Sequence, residues 1–149
     1  MNIPKIIQEQ KTYFASQQTK DISKRKALLK KLLSEIHHRE KDIINALYTD
    51  FKKSEYESVM TETSIVISEL KRTIKNIKNW SKPQMVMPAF LNFPSSSKIY
   101  KEAYGTVLII SPWNYPYQLA FIPLIGAIAA GNTAIIKPSE LTPNTSKIT

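Results

Sequence analysis

Apolar residues recur at helical spacing through the first half of the chain and gather into unbroken blocks in its last third. The two patterns predict different architecture. Ile3, Ile6, Ile7, Gln10 and Phe14 mark one face of a first helix, with Pro4 tolerated in the first turn, where no N–H partner is needed. Asp21 is placed to cap a second helix, whose stripe is Leu28, Leu29, Leu32, Leu33 and Ile36. The pattern runs on through Ile43, Ile44, Leu47 and Phe51, permitting but not requiring a bend near His37 and His38. Ser54 opens a third helix, because Ser54 and Glu57 have the spacing of a capping box. Val59, Thr63, Val66, Leu70, Ile74 and Ile77 then follow at helical spacing toward Trp80.

The pattern breaks at Pro83. Pro83, Pro88 and Pro94 predict a loop or extended connector that ends in Ser95, Ser96 and Ser97. Lys98 to Tyr104 alternates in the manner of a half-buried strand. From Ala103 to Ile136 no residue is charged. Pro112, Pro116 and Pro123 interrupt that stretch, and Asn114, Gln118 and Asn132 lie within it, so a membrane-spanning helix is excluded. The better parse is a strand over Thr106–Ile110, a helix from Tyr117 to Ala130 stopped by Gly131, and a strand over Thr133–Ile136. Neither strand alternates with polar residues, which predicts cover on both faces and therefore parallel strands joined by a crossover helix. The expected fold class is α/β. Residues 1–94 form a helical segment with its proline-rich connector, 95–104 an extended bridging strand, and 105–149 the first β-α-β unit of a doubly wound, Rossmann-like sheet left incomplete. Two such strands expose pairing edges, so the 149 residues by themselves are expected to associate or to pack loosely.

Composition changes this picture in three places. The 149 residues suit one domain, and 21 Lys and Arg against 12 Asp and Glu give a net charge of +9. That charge admits an alternative, a small basic helical protein that binds nucleic acid or a membrane surface. However, Lys24, Arg25, Lys26, Lys30 and Lys31 fall opposite the leucine stripe of the second helix, where a solvated face accounts for them. Cysteine is absent, which removes disulfides, thiolate metal sites and a cysteine nucleophile from these residues. His37 and His38, the two histidines, are adjacent, and a histidine-rich metal site is not expected. The opening residues carry no apolar signal-peptide core, and a cytoplasmic location is expected.

Chemistry is expected at the carboxyl ends of the parallel strands, where ligands bind in open α/β sheets. Two polar clusters lie there: Ser111 to Pro116 after the first strand, and Lys137, Pro138, Ser139 and Glu140 after the second. The glycines, Gly105, Gly126 and Gly131, form neither a G-x-G-x-x-G turn nor a phosphate-binding loop. Any bound nucleotide has its pyrophosphate held by other means.

The run from Gly105 through Ser111-Pro112-Trp113-Asn114-Tyr115-Pro116, then Gly126 to Asn132, then Ile135-Ile136-Lys137-Pro138-Ser139-Glu140, resembles an aldehyde dehydrogenase. The wording of these motifs is most similar to the class 3 and fatty aldehyde branch. The resemblance covers essentially the whole chain, including Asp50 to Lys53 and Tyr56-Glu57. It implies oxidation of an aldehyde to a carboxylic acid through a cysteine thiohemiacetal, with NAD or NADP as cofactor and a homodimeric enzyme. It implies no role for nucleic acid. Asn114 matches the asparagine whose side-chain amide helps to form the oxyanion hole. Ile110 and Ser111 match backbone positions beside the nicotinamide half of the cofactor, Trp113 matches a residue lining the region of Asn114, and Pro112 and Trp113 are counted with the cofactor-binding residues. Lys137, Ser139 and Glu140 match the cofactor-binding segment, in which the lysine and glutamate hydrogen-bond the adenine ribose. The family's nucleophilic cysteine, general-base glutamate and glycine-rich turn lie farther along its chains. The expectation is therefore an N-terminal piece of such an enzyme, inactive alone.

Overall fold

The computed structural model describes residues 2–149. Helix α1 spans Ile3–Ala15, and the Asn2 side chain caps it by accepting from the Lys5 N–H at 3.1 Å. Helix α2 spans Ile22–His38, capped as expected by Asp21, which accepts from the Ser23 N–H at 2.7 Å. The permitted bend is a true break. Arg39 leaves helical geometry with φ −102°, and a separate helix α3 runs over Glu40–Phe51. Lys52 ends α3 in the left-handed region with φ 59°, and the next residue, Lys53, is buried.

Ser54 caps α4, Glu55–Ser58, by accepting from the Glu57 N–H at 3.2 Å, while Glu57 itself stays exposed. The expected continuous third helix is not continuous. Val59–Thr63 is a wider π-helical segment, after which α5 resumes over Ser64–Trp80. The wide turn brings Glu62 and Thr63 into the interior together, and the Thr63 hydroxyl donates to Glu40 at 2.9 Å.

The core is built where these helices meet α6, Gln118–Ala130. It joins Leu29 and Ile36 of α2, Ile43 and Leu47 of α3, Val66, Leu70 and Ile77 of α5, and Tyr117, Ala120, Phe121 and Ile125. Each fully buried Leu or Ile contributes about 1.5–3 kcal/mol, so this cluster dominates the hydrophobic stabilisation. The rings of Tyr117 and Phe121 stack at 4.3 Å, and burial raises the Tyr117 pKa.

Strand β3, Thr106–Ile110, pairs in parallel with β4, Thr133–Lys137, and α6 connects them. Gly131, with φ 90°, stops α6 as the sequence predicts. The expected cover is incomplete at the carboxyl end of β3, although α6 and α1 both pack against the two strands. Ile109 is buried, whereas Leu108 and Ile110 are 61% and 68% exposed. Side chains alternate across a strand, and the face that carries Leu108 and Ile110 lies open there. The bridging segment also differs from expectation. Only Ser97–Ile99 forms a strand, β2, and it pairs antiparallel with β1, Gln84–Val86, inside the proline-rich connector. This small ribbon is largely exposed rather than half-buried, since among the described residues no helix packs closely on it, and residues 101–104 are irregular.

Candidate functional site

The parallel register pairs Ile110 with Lys137 at the carboxyl end of the sheet. One further bond, from the Ser111 N–H to the Lys137 carbonyl at 3.0 Å, carries the ladder past the last strand residue. Pro112 and Pro138 have no N–H to donate and cannot extend it. The two polar loops therefore leave the sheet from adjacent points.

The first loop is tied down from within. The Ser111 hydroxyl is buried and donates to the Pro116 carbonyl at 2.9 Å. Below the loop, Lys53 Nζ and Glu62 Oε1 form an ion pair at 2.6 Å, with the two side chains 8% and 0% exposed. The other Glu62 oxygen accepts from the Gln118 N–H at 2.8 Å, and Lys53 also donates to the Asn114 carbonyl at 3.4 Å. The ammonium lies 4.5 Å from the Tyr115 ring centroid and 5.4 Å from that of Phe51. With its backbone held this way, the loop presents Pro112, Trp113 and Asn114 to solvent beside the exposed Ile110.

The second loop joins β4 to α7, Pro143–Ile148. Lys137 and Glu140 are exposed and in direct contact, and the Lys137 hydrogen bond holds the Glu140 carboxyl below the usual carboxylate range. Ser139 is buried. Its hydroxyl accepts from the Leu141 N–H at 3.2 Å, and its carbonyl accepts from the Ser146 hydroxyl at 2.7 Å. Asp50 caps α7 from α3. One of its oxygens accepts from the Asn144 backbone at 3.2 Å and side chain at 2.8 Å, and the other accepts from the Thr145 N–H and hydroxyl, both at 2.8 Å. Partial burial pushes the Asp50 carboxyl up, but these four bonds outweigh it and the pKa is lowered.

The sequence-predicted residues thus divide by what they can offer a ligand. Asn114, Trp113, Lys137 and Glu140 present free or exposed groups, whereas the hydroxyls of Ser111 and Ser139 are committed inside their loops. Sequence reasoning missed Glu62 and the burial of Lys53. A signal existed: Glu62 stands three residues after Val59 and four before Val66, so a lone acid sits on an apolar stripe. Arg25 also departs from the solvated face expected of it. Its guanidinium donates to the carbonyls of Thr19, Lys20 and Ala129, the last at 3.1 Å, at the C-terminus of α6.

A family model described as the aldehyde dehydrogenase family matches residues 1–149. The chain is 56% identical over 140 residues to a 4,4'-diaponeurosporen-aldehyde dehydrogenase of Staphylococcus aureus, covering 94% of this chain and 30% of that protein. It is 41% identical over 143 residues to the chloroplastic aldehyde dehydrogenase family 3 member I1 of Arabidopsis thaliana, covering 96% of this chain and 26% of the relative. A solved structure of the substrate-bound state of Staphylococcus aureus AldH superposes with a TM-score of 0.95 at 54% identity, over 99% of this chain and 32% of that one. The chain thus spans about 30% of the first of these relatives. The class 3 resemblance is borne out, and nothing in these matches supports the nucleic-acid or membrane-surface alternative. Among the described residues, no helix is long and apolar enough to cross a membrane.

Proposed function

The chain belongs to the aldehyde dehydrogenase family, and we propose that it supplies the oxyanion donor and the ribose-binding pair of an enzyme that oxidises an aldehyde to a carboxylic acid with NAD(P). On this reading β3–α6–β4 is the first unit of a doubly wound sheet, and the enzyme is a cytoplasmic homodimer. One observation carries the assignment. The register of β3 and β4 delivers an exposed amide, Asn114, and an exposed cation–carboxylate pair, Lys137 and Glu140, from adjacent points of one sheet edge.

The exposed pair suits a ribose diol, since a carboxylate accepts from hydroxyls and an ammonium donates to them. Ile110, Ser111, Pro112 and Trp113 would line the nicotinamide side through backbone and apolar contact, with Ser139 holding the second loop in shape. When bound, NAD(P) supplies the hydride acceptor. Asn114 acts on the other reactant. As a thiolate attacks the aldehyde, negative charge develops on the former carbonyl oxygen, and the Asn114 amide donates to it. A preorganised donor of this kind contributes roughly 3 kcal/mol to the transition state. These 149 residues contain no cysteine, so the thiolate comes from outside them.

Asn114→Ala in the enzyme carrying this segment tests the reading. The expected result is a fall in kcat of about a hundredfold or more, with KM little changed. A preserved kcat with a raised KM would make Asn114 a ground-state binding residue and overturn the role.

A further inference from the structure

We propose that the buried Lys53–Glu62 ion pair is a positioning device that aims the Asn114 amide; this rests on the reading of Asn114 as the oxyanion donor. Asn114 is exposed, and its side-chain amide makes no hydrogen bond among the described residues. The backbone that carries Asn114 fixes where its side chain starts, and so the space that the amide can reach. Two contacts fix this backbone at its ends. Lys53 Nζ donates to the Asn114 carbonyl at 3.4 Å, and Glu62 Oε2 accepts from the Gln118 N–H at 2.8 Å. Lys53 and Glu62 are themselves joined at 2.6 Å, so one pair closes the span from Asn114 to Gln118. The Tyr115 ring over the ammonium adds a third contact at the residue after Asn114.

The chemistry of the pair favours aiming over stability. Removing two charges from water is costly, and apolar residues of similar volume often stabilise as well or better. The pair lies beside an apolar core that such residues could have extended. An apolar replacement cannot supply fixed hydrogen-bond directions to a carbonyl at one end of a loop and an N–H at the other. Two local features place the pair there. Lys52, with φ 59°, turns the chain after α3, and the π-helical segment Val59–Thr63 brings Glu62 inward.

The positions suit a catalytic donor because misplacing a reacting group by about 1 Å can cost on the order of a hundredfold in rate. Neither Lys53 nor Glu62 needs to touch substrate or cofactor. The pair acts through Asn114, and its loss is expected to appear in kcat rather than in binding.

The test uses Lys53→Met, Lys53→Arg, Glu62→Gln and Asn114→Ala in the enzyme carrying this segment. Rates are normalised to cofactor sites counted by NADH titration, so that unfolded protein does not count. Lys53→Met is expected to lower kcat about tenfold or more, with the aldehyde KM and the NADH affinity each within about threefold of wild type. Lys53→Arg is expected to restore most of the rate, because it keeps the charge and a donor. Lys53→Met combined with Asn114→Ala is expected to be no slower than Asn114→Ala alone. If Lys53→Met fails to fold, Glu62→Gln gives the same reading, since it keeps the shape and removes the charge. A kcat within twofold of wild type in both Lys53→Met and Glu62→Gln, while Asn114→Ala has lost its rate, overturns the positioning role and leaves the function of Asn114 standing. A kcat preserved in Asn114→Ala overturns both.

Discussion

Gly131→Ala isolates how the far end of α6 is held. Gly131 has φ 90° and ψ 19°, a left-handed conformation that costs a residue with a Cβ about 1 kcal/mol. A Cβ built there falls 2.8 Å from the Arg25 guanidinium, closer than carbon and nitrogen can approach. The end of a long side chain would ordinarily swing away at small cost. Here it is tied to the carbonyls of Thr19, Lys20 and Ala129. Hydrogen bonds from a charged donor contribute about 1.5–3 kcal/mol each. Arg25 is only half-buried, however, so a displaced guanidinium regains water and the net loss comes to about 1 kcal/mol for the set. The two contributions together predict a destabilisation of about 2 kcal/mol, read by equilibrium urea unfolding of the enzyme carrying this segment. Two further variants separate them. Gly131→Asn, which tolerates the left-handed region, should recover part of the backbone cost. In an Arg25→Ala background, Gly131→Ala should cost only about 1 kcal/mol. A Gly131→Ala protein as stable as wild type, or a cost unchanged by Arg25→Ala, refutes the account.

Glu140→Gln is expected to weaken NAD several-fold, measured by fluorescence titration, while NADP changes much less, because the lost acceptor is offset by relief of repulsion at the 2′-phosphate; equal effects on both cofactors would reject the ribose assignment. Asp50→Asn removes a charged cap from α7 and should cost about 1 kcal/mol at pH 7. Because the folded-state pKa of Asp50 is lowered, its stabilising effect is present above the unfolded value of about 4 and is lost as pH falls through the folded value, so the gap between wild type and Asp50→Asn in urea unfolding should close on acidification below about pH 4. A gap of constant size would mean that the carboxylate charge contributes nothing. The 149 residues expressed alone should give no aldehyde-dependent NADH above a heat-treated control, since they contain no thiol to attack the aldehyde; measurable turnover would remove the thiolate from the proposed chemistry.

The sequence by itself determined the elements whose causes are local. The apolar stripe of α2 and its Asp21 cap, the β-branched run of β3, and the glycine stop of α6 are set by neighbours within a few positions, and each lies where the pattern puts it. The same locality made the loop motifs readable, because Trp113-Asn114 and Lys137 to Glu140 follow directly from strand ends. Tertiary structure alone decided how those loops and the far end of α6 are held. Asp50 caps a helix 94 residues away, Arg25 reaches the end of α6 across 104 residues, and Glu62 meets Gln118 across 56. A charged residue on a helix reads as solvated until the fold brings it a partner, and burial then makes that partner obligatory. Composition likewise told that β3 is apolar, but not which of its faces is covered. That depends on what packs against it: α6 and α1 both contact β3, and Ile109 is buried while Leu108 and Ile110 stay open.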